Sequence, residues 1–306
     1  MIKKITVLMG GWSNERDVSL SSGAGTAKTL KDLGYAVTTL DVKRDINHVV
    51  EALTAAKPDV VFNALHGTGG EDGVIQGVLD MMKIPYTHSG VTASAIAMDK
   101  ILSRLVFIQI GIPVPTYAVL PFDEYKDGAK PFDYPYIAKP LNEGSSRGVS
   151  LVKNDGDREE SIASWTFGAQ ILLEDYIPGR EIQIAVMDGK AIGAIELKPL
   201  SGFYDYEAKY TDGKTMHVMP APLDADDQTL MFDYAEKAHT VLGCKGVTRA
   251  DFRLDDSVTP HRIALLEINT QPGLTPLSLV PEIAAYYGIP FGELLTKMIE
   301  RAACAN

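Results

Sequence analysis

Two short runs constrain this chain most: Leu-Leu-Glu-Ile-Asn-Thr-Gln-Pro-Gly at residues 265–273 and Arg-Ala-Asp-Phe-Arg at residues 249–253. Apolar and polar residues alternate in both runs, which predicts two β-strands. Side chains two residues apart in a strand project from one face, so Glu267 and Asn269 share a face. The same spacing places Asp251 on one face with the arginine that opens its run.

If these two strands are neighbours, Asp251, Glu267 and Asn269 form a group of oxygen donors beside the guanidinium of Arg249. Mg²⁺ prefers such oxygen ligands and is often bound by a few carboxylates together with substrate phosphates. The alternative is a pair of half-exposed strands whose polar face meets water. The strands alone leave both interpretations open.

Length and composition bound the other possibilities. A chain of 306 residues favours two or three domains, and no segment approaches the roughly 18 apolar residues of a membrane span. The apolar residues 5–9 run into a glycine-rich loop with no small-residue cleavage site, so we expect a cytoplasmic protein rather than a secreted one. Only Cys244 and Cys304 are present, which fits a reducing compartment.

The net charge of −11 argues against nucleic acid or an anionic membrane as the main partner. An acidic protein that binds nucleotides must concentrate its cations locally. The positions of its lysines therefore matter more than their number.

The first 120 residues alternate between predicted strands and helices, which favours a parallel sheet covered by helices. The predicted strands are 5–9, 36–42 and 59–65, and the predicted helices are 19–33, 48–57 and 74–82. Ligands of such sheets bind beyond the carboxyl ends of the strands, where the loops 10–19 and 66–73 lie.

A dinucleotide-binding fold is the obvious competitor, but it requires Gly-x-Gly-x-x-Gly directly after the first strand. That turn has only Gly10 and Gly11. Glu15 at the helix entrance could favour the helix dipole or receive a substrate ammonium group. His66 ends a buried strand, where a structural histidine is the common outcome.

Residues 93–110 form a predicted helix, and the proline-glycine sequence 111–115 ends it and marks a domain boundary. Lys100 on this helix would by default be a solvated surface charge. Lys139 ends a later strand and precedes the Gly/Ser loop 141–148, which could cover phosphates with backbone N–H groups or be an ordinary hairpin loop.

The rest of the chain is predicted as strands 149–152 and 170–175 and as helices 158–167, 224–242, 278–287 and 291–303. Asp224 is expected to cap the helix that follows it. The segment 199–222 lacks periodicity and is rich in aromatic residues, which favours a functional lid. This segment also contains Lys209. A site that combines Lys100, Lys139 and Lys209 with a Gly/Ser loop and a metal-binding face suits phosphoryl transfer.

At this point the chain resembles a known family, through five motifs in family order between residue 4 and about residue 300. They are Gly-Gly-Trp-Ser-Asn-Glu-Arg-Asp-Val-Ser, His-Gly-Thr-Gly-Gly-Glu-Asp-Gly, Lys-Pro-Leu-Asn-Glu-Gly-Ser-Ser, Phe-Tyr-Asp-Tyr-Glu-Ala-Lys-Tyr and Leu-Glu-Ile-Asn-Thr-Gln-Pro-Gly. They resemble the D-alanine–D-alanine ligases of the ATP-grasp superfamily. The resemblance implies an α/β fold with an N-terminal parallel-sheet (pre-ATP-grasp) domain followed by a two-lobed ATP-grasp fold. The implied domains are 1–95 for substrate binding, 96–180 for the central lobe and 181–306 for the C-terminal lobe.

The resemblance also implies the ligands. ATP would be bound by Lys100, Lys139, Ser146, Glu174, Asp175, Ile177, Glu181 and Lys209. Two Mg²⁺ ions, or Mn²⁺ as a substitute, would be bound by Asp251, Glu267 and Asn269, with Glu267 bridging. Asp175 stands where some relatives carry lysine, and a backbone contact there would survive that difference.

The implied reaction joins two D-alanines through an acyl phosphate, for peptidoglycan precursors, in a homodimeric enzyme. The implied catalytic residues are Glu15, Ser145, Lys209, Tyr210, Arg249 and Gly273, and the implied substrate-binding residues are Glu15, His66 and Ser278. Tyrosine at 210 accompanies an amide product in the family, whereas phenylalanine there accompanies D-lactate acceptance.

Three other functions are alternatives to this one. Another ATP-grasp carboxylate–amine ligase would share the nucleotide and metal residues but not the Glu15 loop or the aromatic motif. A non-catalytic nucleotide sensor would be expected to lack Arg249 or a metal ligand, and this chain retains them. A dehydrogenase lacks its glycine fingerprint.

Overall fold

The computed structural model describes residues 3–145, 147–199 and 215–304. Its strands are Lys4–Gly10 (β1), Ala36–Val42 (β2), Val60–Asn63 (β3), Tyr117–Pro121 (β4), Tyr136–Lys139 (β5), Ser150–Val152 (β6), Gln170–Asp175 (β7), Arg180–Met187 (β8), Lys190–Pro199 (β9), Thr215–Val218 (β10), Val247–Asp255 (β11) and Arg262–Asn269 (β12). Its helices are Arg16–Asp32 (α1), Ile46–Ala56 (α2), Val74–Met81 (α3), Val91–Met98 (α4), Lys100–Gln109 (α5), Phe122–Lys126 (α6), Asp155–Ala163 (α7), Ala225–Val241 (α8), Leu279–Tyr286 (α9) and Phe291–Glu300 (α10).

The predicted N-terminal parallel sheet is confirmed. Its strand order is β2-β1-β3, and all pairings are parallel. The chain turns sharply at its carboxyl edge, because Gly10 has φ of +84° and a Cβ there would lie 2.1 Å from Asp41 Oδ1. Arg16, the first residue of α1, forms a two-pronged ion pair with that carboxylate. This turn directs the loop after β1 across the end of the sheet.

The prediction of one helix over residues 93–110 is wrong. The structure has two helices, α4 and α5, separated at Asp99, whose backbone is extended (φ −89°, ψ 107°). The Asp99 carboxylate accepts hydrogen bonds from the N–H groups of Ile101 and Leu102, so it caps a new helix that begins at Lys100. The break lets the chain change direction just before this lysine.

Two antiparallel sheets follow. The four-stranded sheet has the order β4-β7-β5-β6, and the five-stranded sheet has the order β10-β9-β8-β11-β12. The prediction that the two constraining strands are neighbours is confirmed, with Asp251 opposite Glu267 and Arg249 opposite Asn269. A register shift follows Asp251, at the point where the polar face is formed.

Apolar packing joins the parallel sheet to the five-stranded sheet. One continuous core contains Ile5 and Phe62 from the parallel sheet and Ile195 from the five-stranded sheet. It also contains residues of the C-terminal helices, such as Ile283 and Leu295. Separate cores lie on the other face of the parallel sheet, on the other face of the five-stranded sheet and beneath the four-stranded sheet. The parallel and five-stranded sheets therefore share one core, whereas the four-stranded sheet has a core of its own.

Other differences from the predictions are local. Thr215–Val218 is a strand within the expected lid, and the helix expected at 158–167 is Asp155–Ala163, which begins at the Asn154 cap. Asp224 stands at the start of α8, but its side chain makes no capping hydrogen bond. Within the described ranges, no helix is long and apolar enough to cross a membrane.

Candidate active site

Two adjoining cavities lie where the sheets meet, and together they collect every predicted site residue of the described part of the chain. The first cavity is lined by Glu15, His66, Lys100, Ser145, Arg249, Glu267, Asn269, Gly273 and Ser278, among others. The second is lined by Lys100, Lys139, Glu174, Asp175, Ile177, Glu181, Asp251 and Glu267, among others. Residues more than 250 positions apart thus share one site.

Lys100 and Glu267 line both cavities and form part of the wall between them. Lys100 is only 6% exposed, so its interpretation as a solvated surface charge is wrong. Its Nζ lies 3.5 Å from Glu267 Oε2 and donates a hydrogen bond of 2.7 Å to the Glu143 carbonyl. The helix break at Asp99 brings this amine inward.

The paired strands β11 and β12 supply the acidic face. Arg249 donates two hydrogen bonds to Asp251, of 2.7 Å from Nε and 2.8 Å from a terminal nitrogen. Asn269 Oδ1 accepts from the Gln271 N–H at 2.8 Å. Asp251 and Glu267 face each other in register, so two carboxylates and one amide oxygen meet on one side of the sheet. This donor set suits Mg²⁺.

A buried ion cluster closes the second cavity. Glu174 Oε1 lies 2.6 Å from Lys139 Nζ and 2.5 Å from a nitrogen of Arg104, and each of these residues is less than 10% exposed. Burial, reinforced by the charges of Arg104 and Lys100, lowers the pKa of Lys139 to about 8. Burial disfavours the Glu174 charge, but the two cations outweigh it and hold its pKa below the usual range. This cluster of two cations and one anion therefore carries net positive charge when Lys139 is protonated.

The other end of the second cavity combines an apolar side chain with two ion pairs. Asp175 turns its carboxylate to Arg262 at 2.7 Å, so the cavity receives mainly its backbone. Ile177 is buried, and Glu181 lies 3.7 Å from an Arg253 nitrogen. An apolar surface beside a carboxylate can accept a flat base and a polar hydroxylated group.

Glu15 and Ser145 approach each other across the first cavity. Glu15 is the residue before α1 and is 8% exposed, but its side chain makes no helix-capping bond. Instead, Ser145 Oγ donates a hydrogen bond to its carboxylate. Ser145 has φ of +52°, a conformation that directs the Gly/Ser loop toward the N-terminal sheet. The loop therefore covers this cavity.

Two buried titratable groups line the same cavity. Burial lowers the pKa of His66 to about 4, with a further contribution from the Arg249 charge, so the imidazole is neutral at pH 7. Burial and then the charge of Glu15 raise the pKa of Glu71 to about 8. Glu71 accepts a hydrogen bond of 2.8 Å from the Gly67 N–H. The lining of this cavity therefore includes the carboxyl groups of Glu15, Glu71 and Glu267.

Gly273 and Ser278 stand close together at the opposite wall. A Cβ on Gly273 would lie 2.8 Å from Ser278 Oγ. That hydroxyl accepts a hydrogen bond of 2.9 Å from the Thr275 N–H and stands just before α9. A hydroxyl and backbone N–H groups near a helix N-terminus are suited to bind a carboxylate.

Family comparisons agree with this geometry. The family model described as the D-ala D-ala ligase C-terminus matches residues 106–300, and the corresponding N-terminus model matches residues 46–89.

The chain belongs to the D-alanine–D-alanine ligase family.

Relatives match along nearly the whole chain. A D-alanine–D-alanine ligase of Paramagnetospirillum magneticum is 50% identical, covering 99% of this chain and all of the relative. One of Granulibacter bethesdensis is 49% identical and covers 99% of each. The crystal structure of the Bacillus anthracis ligase complexed with ATP has a TM-score of 0.81 and 29% identity, covering 98% of this chain and 97% of that chain. A second crystal structure of that enzyme has a TM-score of 0.82 and 31% identity, with the same coverage of both chains. The structural neighbours share the ATP-grasp fold.

Three residues expected in the site of this family member lie outside the described residues: Ser146, Lys209 and Tyr210. The residues on either side of Ser146 are described. Ser145 lines the first cavity, and Arg147 lines a neighbouring pocket that shares Glu15 and Gly144 with it.

Sequence reasoning missed several residues of the site. Arg104 follows Lys100 by four positions, and this spacing on one helix face could have indicated it. Glu71 lies inside the His-Gly-Thr-Gly-Gly-Glu-Asp-Gly motif, but the motif alone does not indicate that its carboxyl group is buried beside Glu15. Glu143 contributes a backbone carbonyl, which no side-chain pattern predicts.

Proposed function

We propose that this chain joins two D-alanines into D-alanyl-D-alanine, with ATP converted to ADP and phosphate, and that the product serves peptidoglycan precursor synthesis. The observation that carries this proposal is the shared wall between the two cavities, formed in part by Lys100 and Glu267. A phosphoryl group passing from a nucleotide in the second cavity to a substrate in the first must cross this wall. Cations and carboxylates at this position suit such a transfer.

ATP occupies the second cavity in this proposal. Lys139 and Lys100 contact its phosphates, and Lys139 would then exchange part of its interaction with Glu174 for a phosphate oxygen. Glu174, the Asp175 backbone and Ile177 line the adenine pocket, and Glu181 binds the ribose hydroxyls. Ser146 and Lys209 are proposed to contact the phosphates as well.

Asp251, Glu267 and Asn269 would bind two Mg²⁺ ions, or Mn²⁺, with Glu267 bridging. Bound there, the ions would neutralise phosphate charge and polarise the transferred group. Glu267 also lies beside Lys100, so the bound ions and the lysine would contact the same phosphate. Arg249 is fixed by Asp251 beside this face.

The reaction proceeds in two steps. The carboxylate of the first D-alanine attacks the γ-phosphorus of ATP, the bond to the β-phosphate oxygen breaks, and ADP leaves. The amine of the second D-alanine then attacks the acyl carbon, and phosphate leaves with one former carboxylate oxygen. Activation is necessary because an unmodified carboxylate would have to expel oxide.

Arg249 and the Gly273 N–H stabilise the oxyanion of the tetrahedral intermediate. They line the first cavity from different strands and loops, so they can address one oxygen from two directions. A donor of this kind typically contributes about 3–4 kcal/mol to the transition state.

Glu15 binds the ammonium group of the first D-alanine, and neutral His66 stands beside the same substrate. Ser278 binds the carboxylate of the second D-alanine. Ser145 and Tyr210 hydrogen-bond with Glu15 and close the loops over the acyl phosphate, while Lys209 steadies the transferring phosphate. Closure matters because water would hydrolyse the intermediate.

Tyr210 is proposed to favour the amide product over an ester. Phe at this position accompanies D-lactate acceptance in the family, so Tyr210→Phe should raise the proportion of D-alanyl-D-lactate. An unchanged product ratio in the variant would argue against this role. Gly69 packs closely against Trp12, because a Cβ at this position would lie 2.1 Å from the Trp12 ring.

We further propose a cytoplasmic homodimer with domains at 1–95, 96–180 and 181–306. Each of the three sheets lies within one of these ranges except for the start of β8 at Arg180, which supports the division. The proposed use of ATP and the two free cysteines, Cys244 and Cys304, support the cytoplasmic location.

The test is ADP release with ATP and Mg²⁺ and either D-alanine, L-alanine, or D-alanine plus D-lactate, with products identified by mass. We expect release that depends on D-alanine and yields the dipeptide, and almost none from Glu267→Gln. ATP binding without ADP release on any substrate would retain a nucleotide site and reject the substrate assignment.

A further inference from the structure

A buried polar network joins the N-terminal parallel sheet to the segment that carries Gly273. Its main link is between Asn63, the last residue of β3, and Gln271, two residues beyond β12. Asn63 Nδ2 donates a hydrogen bond of 2.8 Å to Gln271 Oε1, although the residues are 208 positions apart. Asn63 is fully buried, and Gln271 is 1% exposed.

The two amides fix each other's orientation. Asn63 also donates to the Gly70 carbonyl at 3.0 Å and accepts from the Leu65 N–H at 3.2 Å. Gln271 Nε2 donates to the Leu65 carbonyl. Every one of these groups is buried, so rotating either amide would leave donors or acceptors without partners, which is costly in the interior.

A second link lies on the other side of Gly273. The Leu274 N–H donates a hydrogen bond of 3.3 Å to Ser22 Oγ of α1, and Ser22 is fully buried. The same hydroxyl lies 3.3 Å from His66 Nε2. The N-terminal sheet and its first helix therefore hold the chain at both flanks of Gly273, at Gln271 and at Leu274.

We propose that Gln271 is a positioning residue, which together with Asn63 and Ser22 fixes the Gly273 N–H over the acyl carbon of the first substrate. The proposal rests on the oxyanion role assigned to Gly273 above. The first substrate is bound by the N-terminal part of the chain at Glu15, whereas the oxyanion donor belongs to the C-terminal sheet. Their relative placement depends on contacts between the two parts, and Gln271 supplies a polar contact that is almost completely buried. Misplacing a reacting group by about 1 Å can cost roughly 100-fold in rate.

The network should matter for the second chemical step and little for the first. Phosphorylation of D-alanine uses Lys100, Lys139 and the metal-binding face, whereas attack by the amine requires the oxyanion donor. Reversible phosphorylation can be followed separately, as movement of an ¹⁸O label in ATP from the β,γ-bridge to a β-nonbridging position in the presence of D-alanine.

The experiment compares isotope exchange with dipeptide formation in the full-length enzyme and in Gln271→Met. We expect dipeptide kcat to fall at least tenfold while the exchange rate changes less than about threefold. Ser161→Ala is the matched control, since it removes from helix α7 a buried hydroxyl that pairs with the Tyr125 hydroxyl of helix α6 at 3.0 Å. It should lower the thermal midpoint without altering the ratio of the two rates.

If Gln271→Met fails to fold, Ser22→Ala tests the other flank, with the same change in ratio expected. Equal losses of exchange and dipeptide formation, or a lower thermal midpoint with an unchanged ratio, would overturn the proposal. A wild-type enzyme that shows neither exchange nor dipeptide would instead refute the proposed function, so the two failures are distinguishable.

Discussion

Lys139 and Glu174 form an ion pair of 2.6 Å on adjacent strands of the four-stranded sheet, and both side chains are almost completely buried. Arg104 contacts the same carboxylate oxygen, so two cations share one anion. A buried surplus of positive charge is expensive unless a ligand neutralises it. The surplus positive charge of this cluster therefore suits a phosphate group bound beside Lys139.

Nucleotide affinity should fall as the pH rises through about 8. The pKa of Lys139 is lowered to about 8, and phosphate binding favours the charged amine, so binding above this pH requires proton uptake. We expect the Kd of a non-hydrolysable ATP analogue, measured by calorimetry, to rise by up to about tenfold per pH unit above 8. In Lys139→Met, affinity should be weaker, and this pH dependence should be lost. Lys190→Met, at an exposed position, serves as the control and should behave like the wild type.

Removing Arg104 should destabilise the fold. Arg104→Met removes a buried 2.5 Å contact to Glu174, which keeps its pair with Lys139, and a hydrogen bond to a charged group contributes about 1.5–3 kcal/mol. We expect the thermal midpoint to fall by roughly 3–12 °C, with Arg104→Lys recovering part of the loss. Arg301→Met breaks an exposed ion pair with Asp188 and should change stability by less than about 1 kcal/mol. Equal midpoints for the two methionine variants would contradict the prediction.

Glu15→Gln should weaken use of D-alanine without affecting ATP. The variant keeps the shape of the side chain but loses the charge that we propose faces the substrate ammonium group. A hydrogen bond to a charged group contributes about 1.5–3 kcal/mol, so kcat/KM for D-alanine should fall by roughly 10- to 100-fold. Glu51→Gln, on the exposed face of α2, is the control. A matching loss of affinity for the ATP analogue would show that the effect is not local to the substrate.

Gly273→Ala should impair binding of the second D-alanine, because the new Cβ would lie 2.8 Å from Ser278 Oγ. Overpacking of this kind costs about 1–3 kcal/mol, so the KM for the second substrate should rise roughly tenfold or more. Gly25→Ala provides the matched control, since a Cβ there meets nothing within 4 Å. In helix α1 it should stabilise the protein by up to about 1 kcal/mol at full activity. Steady-state rates over a wide range of D-alanine concentration, fitted to two successive binding events, give the KM of each site.

The sequence predicted features that follow from local periodicity. Alternation over residues 249–253 and 265–273 predicted two strands with one polar face, and the observed pairing places Asp251 opposite Glu267. The N-terminal alternation of strands and helices predicted the parallel sheet. In both cases a strand's period of two, or the alternation of elements, already determines which side chains share a face.

Two kinds of feature were not predictable from the sequence: those that depend on a side chain competing for backbone hydrogen bonds, and those that depend on contacts between residues far apart in the chain. The apolar content of residues 93–110 suits a single helix, but the Asp99 carboxylate competes for the N–H groups that begin α5. Lys100 is buried because a carbonyl 43 positions away accepts its hydrogen bond. Asn63 and Gln271 are ordinary polar residues in sequence, and only the packing of two sheets makes them partners.

The central claim is transfer of a phosphoryl group across the wall that Lys100 and Glu267 form, onto the carboxylate of D-alanine. The most direct measurement supplies D-alanine carrying ¹⁸O in both carboxyl oxygens and follows the label by mass spectrometry. The acyl-phosphate route predicts one ¹⁸O in each inorganic phosphate released and one in the new amide carbonyl. Unlabelled phosphate, or label in AMP instead, would contradict it.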